Sequence, residues 1–329
     1  MFFEAISSER IKCNICANYC KISLNSYGIC KQHKNINNQL VDCSYGKISS
    51  ANPDPIEKKP LYHFLPGSLT YSLGGFGCNM SCLNCQNYII SQNFNNFNSA
   101  IKISPETIVE NAIINNCKSI SWTYNEPTIH LLFNKNTSLL AKKKNLKIIY
   151  VSNGYMSNES IEEILKFVDA FNIDLKSISS DFYKKICKAD VSVVLKNLKK
   201  IYQSGKHLEI TNLLINDYND SVKDITGLVE FIIDELGTNI PLHFSRAFPY
   251  YKMNEITPTN EKKLFEAKKI AEDLGMEYVY IGNLPLDTNS YCPECGELLF
   301  KRNGFSTQNM NKVKNNKCAN CNNDLNFIL

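Results

Sequence analysis

The chain is expected to fold as an α/β protein, a partial (β/α)6-type TIM barrel flanked at both ends by cysteine-rich metal-binding knuckles. Three observations lead there. Short β-branched and aromatic runs recur between residues 69 and 281, with helix-period sequence between them. The cysteines gather mainly in three groups, at 13–30, 78–85 and 292–321. At 329 residues and 43% hydrophobic content, the chain can bury a full core.

Taken in order, residues 1–60 form an N-terminal cysteine-rich segment, 61–285 the barrel, and 286–329 a C-terminal knuckle. Strands are read at 69–74, 119–124, 147–152, 170–175, 208–215, 241–246 and 277–281. Between them, Ser104-Pro105-Glu106 marks a capped helix start, and Ile161, Ile164, Leu165 and Val168 repeat at helical spacing. Val194, Leu198 and Ile201 run up to Gly205, Val222 through Leu236 up to Gly237, and Leu264 through Leu274 up to Gly275, each glycine where a left-handed residue ends a helix. Strict alternation implies a parallel sheet with right-handed crossovers, and chemistry at the C-terminal ends of its strands.

At the end of the first strand stands Cys78-x-x-x-Cys82-x-x-Cys85. Three thiolates are one too few for a closed metal site, since structural zinc and an ordinary 4Fe-4S cluster each take four ligands. An open corner invites a further ligand. The bland alternatives are a chance grouping, or a zinc site closed by a distant fourth cysteine. The pairs Cys292/Cys295 and Cys318/Cys321 read as a zinc knuckle, with a cluster or a protein contact as the alternative. Cys13, Cys16, Cys20 and Cys30, with His33 able to replace one of them, fit zinc first and a second 4Fe-4S cluster as the alternative. Cys43, Cys117 and Cys187 read as buried thiols, Trp122 as core, and His63 and His130 as without special roles.

Other strand ends carry polar runs: Thr123-Tyr124-Asn125-Glu126-Pro127, Ser152-Asn153-Gly154, Asn172 to Lys176, and His243 to Arg246. Asn172, Asp174 and Lys176 share one strand face. A carboxylate and an ammonium inside a barrel are costly unless paired or ligand-bound, which marks Asp174 and Lys176 as functional, with helix capping as the alternative for Asp174. The net charge of +4 is too small to indicate a nucleic-acid partner, and no apolar run approaches the roughly 20 residues that cross a bilayer. The Met1-Phe2-Phe3-Glu4 start shows no signal peptide, so reduced, metal-bound thiols and a cytoplasmic location are expected.

The cysteine trio resembles the signature of radical S-adenosylmethionine (radical SAM) enzymes. From about Cys13 to Cys321 the chain resembles the radical SAM enzyme of the AmmeMemoRadiSam system, related to pyruvate formate-lyase activating enzymes. The segments that carry this are residues 54–68 (DPIEKKPLYHFLPGS), Cys85-Gln86-Asn87, Thr123 to Thr128, Ser152 to Tyr155, Asp174-Leu175-Lys176 and Tyr251-Lys252-Met253. The resemblance implies that Cys78, Cys82 and Cys85 ligate a 4Fe-4S cluster whose fourth iron S-adenosylmethionine chelates. It implies cofactor roles for Asn125, Glu126, Ser152, Asn153, Asp174 and Lys176, with Glu126 on the methionyl ammonium, and cofactor or substrate contacts for His243 and Arg246. It further implies a flavodoxin or ferredoxin reductant and Memo-type and AMME-type partner proteins.

The chain departs from the pattern at Asn84, where an aromatic usually stacks on adenine, a task left to Phe76 or Tyr88; at Tyr124-Asn125 in place of two glycines; and at Tyr251 in place of a histidine. The expected activity is reductive cleavage of S-adenosylmethionine to a 5′-deoxyadenosyl radical that takes hydrogen from an unknown substrate. A glycyl-radical-enzyme activase is the second reading and an RNA-modifying enzyme the third. A zinc or iron-sulfur module for protein binding or electron transfer is the alternative outside radical chemistry.

Overall fold

A computed structural model describes residues 2–92 and 99–329. Its core is one eight-stranded sheet. The strands are β1 (Ser50–Pro55), β2 (Leu69–Gly74), β3 (Ser119–Trp122), β4 (Lys147–Ser152), β5 (Ala170–Asp174), β6 (His207–Leu214), β7 (Leu242–Arg246) and β8 (Val279–Gly282). They pair in chain order, β1 antiparallel to β2 and all the rest parallel, so seven strands run one way. The sheet has two ends rather than closing on itself, which makes the barrel partial.

Burial explains why these runs are strands. Every residue of β3 is buried, as are all but one each of β5 and β6 and all but two of β4, the pattern of a parallel sheet covered on both faces. The cover comes from α1 (Pro105–Ile114), α2 (Leu131–Lys142), α3 (Asn158–Ile164), α4 (Val191–Gln203), α5 (Val222–Leu236) and α6 (Glu261–Asp273). Six strands thus lead into helices, and β8 adds a seventh parallel strand. Ser104 and Ser221 cap α1 and α5 by accepting from the amides of Thr107 and Asp224, and Gly237 ends α5 at φ +98°, a conformation a Cβ resists.

One strand departs from the sequence reading. Residues 50–55 carry Pro53 and Pro55, which argue against a strand, yet β1 lies at the sheet edge, where a missing amide hydrogen costs no ladder bond on the open side.

The N-terminal segment forms a small sheet of strands Phe3–Ser7, Arg10–Cys13 and Lys21–Ser23, with a hairpin at His33–Ile36 and Gln39–Asp42. It docks where the strands end. Ser157 and Ser160 at the start of α3 donate to the carbonyls of Asn14 and Ile15, both at 2.6 Å. The C-terminal segment packs Leu299, Phe300 and Phe327 against Tyr62, Tyr278 and Tyr280. The amide of Ile328 donates to the carbonyl of His63 at 2.8 Å, and buried Arg302 donates to that of Tyr62 at 2.6 Å.

Candidate functional site

The loop after β2 is held in place by close backbone packing. Gly77 sits at φ +79°, and a Cβ there would come within 2.5 Å of the Cys30 carbonyl oxygen. A Cβ on Gly75 would lie 2.3 Å from His130 Nε2. Asn125, beyond β3, accepts from the Gly75 amide at 2.7 Å and donates to the Gly77 carbonyl at 2.9 Å. His130 Nε2 donates to the Phe76 carbonyl at 2.9 Å, with Ser44 at 3.1 Å behind its other nitrogen. Asn125 therefore positions the cysteine loop. His130, read as without a role, does the same.

Around the thiols, the strand ends converge. Cys78 Sγ accepts from the Met80 amide at 3.4 Å and from Asn153 Nδ2 at 3.6 Å. Burial first, and then the charge of Glu126, push this thiol well above its ordinary value. Cys82 is held low, first by a hydrogen bond from the Cys187 thiol and further by Lys176. Burial raises Cys85, with Lys176 acting against it. Lys176 Nζ pairs with Asp174 at 2.9 Å. Burial alone would depress this ammonium, yet Asp174, Cys82 and Cys187 hold it well above its usual value.

Glu126 is buried, and its carboxylate is well supplied with donors. Oε1 accepts from the Thr128 amide and hydroxyl and from Ser152 Oγ at 2.8 Å, and Oε2 accepts from the Asn153 amide at 2.9 Å. Burial raises its pKa against these bonds. Oε2 keeps acceptor capacity for a further cationic donor. Cys78, Glu126, Ser152 and Asn153 thus meet on one side, and Cys82, Cys85, Asp174 and Lys176 on the other.

Two expected site residues have other partners. His243 Nε2 pairs with Glu209 at 2.7 Å inside the barrel, where Glu209 also bonds His207 at 3.0 Å and the amides of Tyr62 and His63. A buried carboxylate needs every one of these donors, which corrects the reading of His243 as a cofactor contact. Arg246 donates to the Thr259 carbonyl and to Glu261, at 2.9 Å each, anchoring the start of α6 rather than facing the thiols. Cys187, read as a lone buried thiol, lies against Cys82, and the amide of Ser81 donates to its carbonyl at 3.1 Å. Nothing in its spacing announced this. Tyr88 stacks on Tyr251 with ring centroids 5.0 Å apart.

Among the described residues, Cys292, Cys295, Cys318 and Cys321 are the set whose ligand atoms all lie within 4.8 Å of one another. Sulfur pairs at 3.6 and 3.7 Å match the tetrahedral edge of about 3.8 Å that follows from metal–sulfur bonds of about 2.3 Å. Among the described residues, neither the Cys78 trio nor the N-terminal four forms such a set.

Comparison with known proteins agrees with this geometry. The Radical SAM superfamily profile matches residues 73–232, which span the trio, Glu126 and Asp174. An uncharacterized protein of Methanocaldococcus jannaschii is 41% identical over 332 residues, covering 100% of this chain and 99% of the relative. The trans-4-hydroxy-L-proline dehydratase activating enzyme of Clostridioides difficile is 25% identical over 144 residues, 40% of this chain and 48% of that enzyme, so the match spans about half of its length. The structure of Streptococcus suis SuiB bound to precursor peptide SuiA shares the fold at a TM-score of 0.50 and 15% identity, over 67% of this chain and 48% of that one. The chain belongs to the family of the Methanocaldococcus protein, and it is a radical SAM enzyme with homology to glycyl-radical-enzyme activating enzymes.

Proposed function

We propose that this chain takes hydrogen from a substrate presented by a Memo-type or AMME-type protein, using S-adenosylmethionine at a 4Fe-4S cluster ligated by Cys78, Cys82 and Cys85. One observation carries the cofactor assignment: three inward thiols lie between a donor-rich carboxylate, Glu126, and the Asp174–Lys176 pair. Such a centre, when loaded, supplies the electron that cleaves the sulfonium and yields a 5′-deoxyadenosyl radical. The protein's own tasks are positional. Glu126 Oε2 takes the methionyl ammonium, Ser152 and Asn153 hold that carboxylate in place, and Lys176 offers charge to the methionyl carboxylate. The partner assignment rests on the resemblance of residues 54–68.

A second reading, activation of a glycyl-radical enzyme, is favoured by the partial matches to activating enzymes from Clostridioides difficile and Klebsiella oxytoca. In either case Cys292, Cys295, Cys318 and Cys321 hold zinc in a structural role, and the many reduced thiols suit a cytoplasmic location. Among the described residues no helix is long and apolar enough to cross a membrane.

The test is isotopic. Memo-type and AMME-type proteins grown in deuterated medium are mixed with the reduced enzyme and S-adenosylmethionine. Deuterium in the 5′-deoxyadenosine supports the first reading. A persistent glycine-centred radical signal on a glycyl-radical enzyme, with no deuterium transfer from the first two, replaces it with the second.

A further inference from the structure

Residues 54–68 run from β1 into the barrel, where Ile56, Leu61 and Phe64 pack with Ile149 and Ala170 on the inner face of the sheet. Asp54 pairs in register with Thr70 of β2, and the Thr70 hydroxyl meets that of Ser121, the register partner of Ile149, at 2.6 Å. Asp54 therefore stands on the inner face too. Lys59 comes back to it. Its Nζ pairs with Asp54 Oδ2 at 2.7 Å, with side chains 1% and 9% exposed, while Lys58 holds Oδ1 at 2.8 Å. A buried ion pair is weak evidence for stability alone, and no step assigned to the site uses this one.

What the pair holds is Tyr124. The phenol donates to Asp54 Oδ2 at 2.5 Å, and Lys59 Nζ lies 3.4 Å from the phenol oxygen and 4.5 Å from the ring centroid. Burial first, and then Asp54, raise the phenol's pKa, so it stays a donor. Burial would raise Asp54, yet bonds from Lys58, Lys59 and Tyr124 hold its carboxyl well below its ordinary value, so it stays an acceptor.

The backbone at Tyr124 is strained. It sits at φ +71°, and the Asn125 amide donates to the Thr123 carbonyl, two residues back, at 2.9 Å. A positive φ closed by such a bond is the rare form of γ-turn, and a bulky residue keeps it only where its surroundings impose it. Asn87 Nδ2 fixes the Tyr124 carbonyl at 2.7 Å, and Asp54 fixes the side chain. The chain leaves this turn through Asn125, which bonds Gly75 and Gly77 of the cysteine loop, and then Glu126.

We propose that Asp54 and Lys59 clamp Tyr124 in the strained turn and so aim Glu126 at the methionyl ammonium of S-adenosylmethionine, which makes all three positioning residues for the radical reaction. Glycine adopts positive φ without strain. Removing only the hydroxyl of Tyr124 therefore releases the clamp and leaves the strain, whereas removing the whole side chain releases both. The role of Glu126 belongs to the function proposed above, and the clamp itself does not depend on it.

The test is a reversal of the usual ranking of substitutions. Equilibrium binding of S-adenosylmethionine is measured on the full chain reconstituted with iron and sulfide, per cluster-loaded chain. Tyr124→Phe should weaken it by about tenfold or more, and Tyr124→Gly by only about threefold. A side chain that served packing alone would rank phenylalanine above glycine, so binding to Tyr124→Phe as tight as to Tyr124→Gly, or tighter, overturns the proposal. Amide hydrogen exchange over residues 123–128 reads the clamp without the cofactor. It should be faster in Tyr124→Phe than in Tyr124→Gly, and equal rates or the opposite order overturn the clamp. If the unaltered chain forms its cluster and binds no S-adenosylmethionine while the exchange order holds, the clamp stands and the role of Glu126 fails.

Discussion

Replacing Glu126 with glutamine removes one charge and one acceptor without changing shape. The carboxylate accepts three hydrogen bonds on Oε1, from the Thr128 amide and hydroxyl and from Ser152, and one on Oε2, from the Asn153 amide at 2.9 Å. An amide can serve only one of these positions with its oxygen. The three-donor position takes it, and the NH2 group then faces the Asn153 amide, donor to donor. Two costs follow. The Asn153 amide is left buried and unpaired, which costs about 1–3 kcal/mol of fold stability. The methionyl ammonium loses a charge-assisted bond of about 1.5–3 kcal/mol, equivalent to binding of S-adenosylmethionine weakened by about 10- to 150-fold. Equilibrium binding to the reconstituted protein measures the second cost and a thermal melt the first, while iron content should stay unchanged. Binding within twofold of the unaltered enzyme would refute the role given to Glu126, and loss of iron would mean that it serves the cluster instead.

Other expectations come from the same geometry. Gly75→Ala puts a methyl 2.3 Å from His130 Nε2 in a ring fixed by Ser44 and Phe76, so the cysteine loop must shift; iron incorporation should drop while circular dichroism stays native, and full incorporation would contradict the packing argument. Cys187→Ala removes the hydrogen bond to Cys82, which should make the catalytic cluster harder to reduce in a redox titration, and an unchanged potential would show that the contact does not persist in the loaded enzyme. Burial would raise Glu209, but hydrogen bonds and charge from His207 and His243 hold its carboxyl well below 4.5. Its stabilising contribution is therefore present above about pH 4.5 and lost as the pH falls towards the lowered value. Glu209→Gln should cost about 3–5 kcal/mol at neutral pH and flatten the acid limb of the melting curve, whereas parallel curves for the two proteins would falsify the linkage.

Much of the fold could be read in advance because the sheet is buried on both faces. Runs such as Ile148-Ile149-Tyr150-Val151 have no other economical place, and Ser104, Ser221 and Gly237 punctuate the helices through local hydrogen bonds and dihedral angles that the residue types themselves favour. The Ser50–Pro55 strand was hidden because its prolines are tolerated only by virtue of its edge position, which is a property of the assembled sheet. The polar strand ends were legible as a group, since alternation puts Asn172, Asp174 and Lys176 on one face. Partner choice was not. His243 lies level with Asp174 across the sheet, each paired in register with Thr211, and only the approach of Glu209 and the Tyr62–His63 backbone commits it to the barrel interior. Cys187 and His130 were invisible for the same reason: each acts on a loop more than 50 residues away in the chain, Cys187 through Cys82 and His130 through Phe76.

The most direct test of the central claim is anaerobic reconstitution with iron and sulfide, reduction by dithionite in the presence of S-adenosylmethionine, and chromatographic assay for 5′-deoxyadenosine. The account predicts product with the unaltered chain and none with Cys82→Ala. A cluster that forms and is reduced, yet yields no 5′-deoxyadenosine even with Memo-type and AMME-type proteins present, would contradict it.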